Sequence, residues 1–218
     1  FVGFAAPNFD LEEAADAQGG DTVEVAGAPA GVRGVPVKLR NRPRMRAAAS
    51  AELALLPPLP ETAWELRSIA EALGAPPDDV HVGRAATEER VKSMDLSPFR
   101  IVAFATHGLL AGDLNGLDQP ALALTAPGTA DVGDGLLTMG EILGLRLNAD
   151  WVVLSACNTG AAGGRGAEAV SGLGRAFFYA GSRALLVSNW PVHSNATVAL
   201  TTTLFCRQAD EPALSRTE

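Results

Sequence analysis

Short apolar runs recur along this chain between segments with helical periodicity. Nearly uninterrupted apolar runs of four or five residues occupy 1–5, 101–105, 151–154 and 184–187, and a shorter segment of similar type lies at 80–83. Runs of this length without polar alternation are typical of strands that are covered on both faces of a parallel sheet. The pattern therefore predicts a buried parallel sheet.

Helical segments separate these predicted strands. One helix begins near Thr62 and Glu65, which have the spacing of a capping box. A short helix over 87–94 and a longer one over 168–180 follow, and Gly181 is placed to cap the second. Alternating buried strands and helices predict an α/β fold, in which right-handed crossovers place helices on both faces of the sheet.

Size, charge and cysteine content narrow the class of protein. The 218 residues, 47% of them hydrophobic, suffice for one buried core. A net charge of -8 disfavours a nucleic-acid surface, and no apolar stretch approaches the roughly 18 residues of a membrane span. The two cysteines lie in unlike contexts, which favours a reducing, cytoplasmic location over a disulfide framework. No set of side chains has metal-ligand spacing, so we predict neither a metal nor a cofactor.

The domain organisation predicted from the pattern is a single domain over 1–218. The chain begins inside a predicted strand and stops in a polar, helix-compatible stretch, so we expect this domain to be truncated at both ends. Residues 11–56 lack a periodic apolar face over most of their length. We expect this segment to be a flexible insertion.

Candidate catalytic residues lie in the loops that follow two of the predicted strands. The strand that ends at Ala105 is followed by Thr106 and His107, and the strand that ends at Leu154 is followed by Ser155, Ala156 and Cys157. Loops at the carboxyl ends of parallel strands open into one crevice, so these side chains are expected to meet. An imidazole favours the reactive thiolate and later protonates the leaving amine. The backbone N–H groups of Gly108 and Cys157 are candidates for an oxyanion hole.

Each of these residues also has a structural interpretation. A lone histidine at a strand end is usually a hydrogen-bonded structural group, and a lone cysteine in an alanine-rich run is usually a small buried hydrophobe. The joint placement of His107 and Cys157 at two strand ends favours catalysis. Their separation of 50 residues is similar to the interval between histidine and cysteine in caspases.

The motifs around both residues resemble CHAT domains. The resemblance lies in the segments 105–108 (ATHG), 154–160 (LSACNTG), 172–181 and 187–192 (VSNWPV). CHAT domains are related to caspases and separases, usually follow tetratricopeptide repeats in bacterial proteins, and are assigned as cysteine peptidases with a histidine and cysteine dyad.

This resemblance implies a fold, an activity and a partner. The implied fold is a caspase-like three-layer α/β/α sandwich with a mostly parallel central sheet. The implied activity is hydrolysis of a protein or peptide, with His107 as general base and acid and Cys157 as nucleophile. A bacterial source and an attached or associated tetratricopeptide-repeat sensor are implied as well.

A substrate pocket can be placed by the same resemblance. In caspase-like folds, the residue before the scissile bond is held between the exit of the first strand and the exit of the strand after the nucleophile. The corresponding residues here are Asp10 and the run Ser188, Asn189 and Trp190. Aspartates in loops more often cap turns, so these residues leave the preferred substrate side chain open.

Two further functions remain compatible with the sequence. A catalytically silent interaction or scaffold module would keep the caspase-like shape without using the dyad. A cysteine-dependent amide hydrolase or acyl transferase that acts on small molecules would use the same dyad in a closed pocket. Intact His107 and Cys157 favour the peptidase over the silent module.

Overall fold

The structure is a computed structural model. It describes residues 1–9, 52–127, 133–155, 165–187 and 194–211. Within these ranges no helix is both long enough and apolar enough to cross a bilayer.

The strands of the described residues form two sheets. Five parallel strands make the central sheet in the order β2-β1-β3-β7-β8, and three short antiparallel strands make a second sheet in the order β4-β5-β6. Their bounds are β1 Val2–Pro7, β2 Val80–Gly83, β3 Ile101–Ala105, β4 Gly108–Leu109, β5 Ala121–Ala123, β6 Leu136–Thr138, β7 Trp151–Leu154 and β8 Leu185–Val187.

Helices cover both faces of the central sheet. They are α1 Glu61–Ala72, α2 Glu88–Ser93, α3 Met139–Ile142, α4 Arg165–Ala180 and α5 Ser194–Asp210. The predicted α/β sandwich with a mostly parallel central sheet is therefore confirmed. The strands that the apolar runs predicted are present, each within two residues of its expected bounds.

Successive residues of the central strands point to opposite layers. On one face Phe104 packs against Phe177 of α4, with ring centroids 5.7 Å apart. On the other face Ala103 lies in the same buried cluster as Leu66 of α1 and Phe205 of α5. A strand with small residues on one side lets α1 and α5 approach closely, whereas aromatic side chains fill the space under α4.

The start of α1 differs from the prediction. Thr62 does not act as a cap, because its hydroxyl donates to the Leu59 carbonyl at 2.7 Å and accepts from the Ala6 amide at 2.8 Å. Glu65 is fully buried instead of closing a capping box. The end of α4 agrees with the prediction, since Gly181 follows it directly with a φ of 113°.

The three-stranded sheet was not predicted from the sequence. Its strands are two or three residues long, too short to leave a period in the apolar pattern. Leu53 and Leu56, which precede α1, are buried in the same cluster as Leu109 of β4. The flexible insertion predicted over 11–56 lies mostly outside the described residues and stays a prediction.

Candidate functional site

His107 lies in the two-residue link between β3 and β4. Its carbonyl accepts a hydrogen bond of 2.9 Å from the Ala123 amide, and the neighbouring Thr106 hydroxyl donates to the Ala123 carbonyl. The side chain of His107 is fully buried. The turn that carries the histidine is thus fixed to β5 by both backbone and side-chain bonds.

The imidazole is oriented by a backbone carbonyl. Nε2 of His107 lies 2.8 Å from the carbonyl oxygen of Pro57, and the ring of Phe9 packs beside it at a centroid distance of 5.6 Å. A carbonyl oxygen can only accept, so Nε2 carries the proton of this bond. The neutral ring then has its lone pair on Nδ1, which makes Nδ1 the basic atom.

The segment before Pro57 is held in place on the small sheet. Leu53 and Leu56 are buried there, and Glu52 accepts hydrogen bonds from the backbone amide of Asn115, at 2.8 Å, and from its side-chain amide. The role of Pro57 was missed by sequence reasoning, because any residue type can supply a backbone carbonyl. The contact becomes visible only when the fold brings residues 57 and 107 together.

The exits of β3 and β7 are neighbours in the sheet. These strands pair in parallel with Phe104 opposite Leu154, and the Ser155 amide continues the ladder with a 2.9 Å bond to the Phe104 carbonyl. His107 is three residues beyond Phe104, and Cys157 is three residues beyond Leu154. Cys157 itself lies outside the described residues.

The backbone amide of Gly108 lies on the side of β4 that faces away from β5. The Ala123 amide donates to the His107 carbonyl, so the next pair of the antiparallel ladder, Gly108 and Leu122, is a non-hydrogen-bonded pair. The Gly108 N–H therefore points away from β5. Among the described strands, β4 forms the edge of this sheet on that side.

The four predicted pocket residues lie outside the described residues. They are Asp10, Ser188, Asn189 and Trp190. Their described neighbours lie at the same end of the sheet as His107. Asn8 is tied to the loop after β5, since its amide donates to the Thr125 hydroxyl at 3.1 Å and its carbonyl accepts from the Ala126 amide at 2.8 Å. Val187 ends β8, which pairs with β7.

A second buried histidine lies away from this end of the sheet. His81 is in the middle of β2, opposite Phe4, and the two rings are 5.1 Å apart. Burial lowers the pKa of His81 and the nearby Arg90 lowers it further, while Asp79 opposes the shift. His81 is therefore not part of the candidate site around His107.

Comparison with known proteins gives one family match. The family model of the CHAT domain matches residues 4–217. The chain is also similar to the mouse (Mus musculus) tetratricopeptide repeat protein 28, with 33% identity over 167 residues, which is 62% of this chain and 6% of that protein. The chain thus spans a small fraction of the length of this curated relative. No solved structure gives a significant match.

Proposed function

This chain belongs to the CHAT domain family, and we propose that it is a cysteine endopeptidase that cleaves a protein substrate through His107 and Cys157. The observation that carries this proposal is the 2.8 Å contact between His107 Nε2 and the Pro57 carbonyl. A base that is oriented by a third group is typical of nucleophilic catalysis. With the proton on Nε2, Nδ1 is the basic nitrogen of the neutral ring.

The sheet register supports the pairing of the two residues. Chain connectivity keeps the Cα of Cys157 within about 7 Å of the Cα of Ser155, because two consecutive Cα–Cα steps span at most that distance. Ser155 in turn is bonded to the Phe104 carbonyl, three residues before His107. The two strand ends that lead to His107 and Cys157 are therefore neighbours at the same end of the sheet.

The proposed reaction has two steps. In the first, Nδ1 of His107 takes the thiol proton of Cys157, and the thiolate attacks the scissile carbonyl carbon. The resulting tetrahedral intermediate collapses when His107 gives that proton to the leaving amine, so the C–N bond breaks and a thioester remains. In the second step, His107 takes a proton from water, and the oxygen of that water attacks the thioester carbon. The C–S bond then breaks, the acid leaves, and His107 returns the proton to the sulfur of Cys157.

An oxyanion hole is proposed from the backbone amides of Gly108 and Cys157. The outward direction of the Gly108 N–H supports its part, since the donor is not used by the ladder to β5. Fixed amide donors stabilise the charge that develops on the carbonyl oxygen during attack. The loss of one such donor typically costs about 2.7–4 kcal/mol of transition-state stabilisation.

The substrate pocket is proposed between the exits of β1 and β8, with Asp10, Ser188, Asn189 and Trp190 as its lining. Its support is the arrangement of the described ends, because Asn8 is fastened beside β5 and Val187 ends the strand next to β7. We take the substrate to be a protein or a peptide.

Regulation by a repeat domain is part of the proposal. The similar mouse protein is named for its tetratricopeptide repeats, and the resemblance to CHAT domains implies such repeats as well. We therefore propose an attached or associated repeat domain as the sensor that controls cleavage. The exposed, unpaired thiol of Cys206 is compatible with the proposed reducing, cytoplasmic compartment.

Labelling by a library of peptidyl electrophiles tests the peptidase. We expect Cys157 to be labelled faster than Cys206, and we expect Cys157→Ala and His107→Ala to abolish both the selective labelling and peptide cleavage. Cys206→Ala is the matched control, because it removes an exposed thiol on α5 and should leave both signals intact. The preferred peptide of the library identifies the substrate side chain.

A silent interaction module is the second candidate. The observation that favours it is the complete burial of His107, because a base has to meet its substrate. Under this alternative, Cys157 reacts with every electrophile of the library no faster than Cys206. Equal labelling of the two thiols, together with no cleavage of any peptide, would decide for the module.

A further inference from the structure

A buried carboxylate lies below the exit of β7. Glu65 of α1 has no solvent exposure, although glutamate is among the residue types that are least often fully buried. Removing a carboxylate from water is costly unless hydrogen bonds replace those to the solvent. The hydrogen bonds that Glu65 makes inside the protein therefore have to replace those that it would make to water.

The carboxylate joins three separate elements. The Ser155 hydroxyl donates to Oε1 of Glu65 at 2.8 Å, and the Thr201 hydroxyl donates to the same oxygen at 3.0 Å. Ser155 directly follows β7, whereas Thr201 belongs to α5. Two hydrogen bonds to one oxygen thus link α1 to the residue after β7 and to α5.

Ser155 is held from two sides. Its amide is bonded to the Phe104 carbonyl of β3, and its hydroxyl is bonded to Glu65. Two residues then lead to the proposed nucleophile Cys157. The orientation of Ser155 thus fixes the point and the direction from which the chain departs toward the sulfur.

We propose that Glu65 is a positioning residue, which fixes the position of the nucleophile Cys157 through its hydrogen bond to Ser155. This inference rests on the proposed peptidase function and adds a residue that its dyad does not contain. Glu65 itself is buried below the sheet end, so we propose that it acts on the reaction through the Ser155 hydroxyl. The same carboxylate also anchors α5, the helix that follows the proposed pocket residues 188–190.

The test compares Ser155→Ala and Glu65→Ala with a matched control, Ser182→Ala. Ser182 is also a buried serine whose hydroxyl makes one 2.8 Å bond, to the Ala184 carbonyl, but it lies at the amino end of β8. Two readouts are needed: hydrogen–deuterium exchange of the peptide that covers 151–164, and kcat and KM for the peptide that is cleaved best.

We expect both variants at the junction to accelerate exchange in 151–164 and to lower kcat. A misplacement near 1 Å can cost about 10²-fold in rate. KM should stay within about two-fold, because substrate binding is not what the change removes. Ser182→Ala should match the wild type in exchange of 151–164 and in kcat. Glu65→Gln keeps an acceptor oxygen and should restore much of the activity that Glu65→Ala loses.

The outcomes separate this inference from the proposed function. If the wild type cleaves nothing, the peptidase proposal fails, and the exchange data alone then decide whether Glu65 orders the segment after Ser155. Ser155→Ala provides the decision if Glu65→Ala does not fold. Exchange of 151–164 and kcat in Ser155→Ala equal to those of Ser182→Ala would overturn the inference.

Discussion

The two ends of the central sheet treat polar side chains in opposite ways. At the carboxyl end, His107, Glu65 and Ser155 are buried and make hydrogen bonds inside the protein. At the amino end, Asp150 forms exposed ion pairs with Arg100, with two contacts of 2.9 Å, and with Arg183 at 3.5 Å. Both ends contain charged or polar groups, but one end keeps them away from water.

The difference shows that the carboxyl end of the sheet bears the free-energy cost of burying polar groups, whereas the amino end does not. A surface ion pair costs little to form and contributes little, whereas a buried polar group is unfavourable unless each bond is made. The carboxyl end therefore has a strict geometry that a stable fold alone does not require. Such strictness is expected at a site that must hold reacting groups within tenths of an ångström.

Truncation of Phe9 is the strongest test of the packing at the carboxyl end. Its ring is 5% exposed and lies beside His107, so Phe9→Ala leaves a cavity against the imidazole. We expect the free energy of unfolding to fall by about 3–5 kcal/mol, as measured by chemical denaturation. Peptide cleavage by the remaining folded protein should fall as well. A variant with unchanged stability would contradict the described packing of this ring.

A substitution that strains the backbone at the amino end of the sheet should lower stability without changing the reactivity of Cys157. Gly181 has a φ of 113°, and a Cβ added there would clash with the Leu147 carbonyl oxygen. Gly181→Ala is expected to cost about 1–3 kcal/mol from the strained backbone alone. Labelling of Cys157 per folded molecule should stay unchanged. Thermal unfolding and electrophile labelling of the same sample check both parts.

The response to pH should depend on His81, which lies at neither end. Its pKa is lowered from an ordinary value of 6.5, so below that value the unfolded chain binds a proton that the folded chain does not. Stability should therefore decline as the pH falls from about 6.5 toward the folded-state pKa. We expect the Tm of the wild type to fall by on the order of 2 °C between pH 7.5 and 5 because of His81. His81→Phe removes the titrating group, so its Tm should fall less over the same range. An unchanged slope would exclude His81 as its source.

The ion pairs at the amino end should have the smallest effect. Asp150→Ala breaks the contacts to Arg100 and Arg183, which are about half exposed. We expect a loss of 0 to about 1 kcal/mol, which becomes smaller still at high salt. Cleavage and labelling should not change. A loss of several kcal/mol in urea denaturation would mean that the two ends are not as different as described.

The sequence predicted the central sheet well for a simple physical reason. Strands such as β3 and β7 are covered on both faces, so each leaves an uninterrupted apolar run that is visible without any partner. The small sheet β4-β5-β6 has strands of two or three residues, which leave no period. Short strands are defined by their partners, and partners are set by the tertiary fold.

Prediction of the site depended on the same distinction. His107 could be predicted as a site residue because the apolar run before it shows where a strand ends. Pro57 could not, because its carbonyl carries no sequence signal, and Glu65 was misread as part of a cap because its spacing from Thr62 fits one. Groups that orient the candidate catalytic residues come from distant segments, 50 residues away for the Pro57 contact and 90 for the Ser155 contact.

The pH dependence of alkylation at Cys157 tests the central claim most directly. Iodoacetamide modification, followed by peptide mass spectrometry, gives the rate at Cys157 between pH 5 and 9, with the exposed Cys206 as an internal reference for rate. An ordinary free thiol titrates near 8.5. If His107 pairs with Cys157, the wild type should be alkylated rapidly well below that pH, and His107→Ala should lose this rapid reaction. Identical profiles for Cys157 in the wild type and in His107→Ala would contradict the dyad.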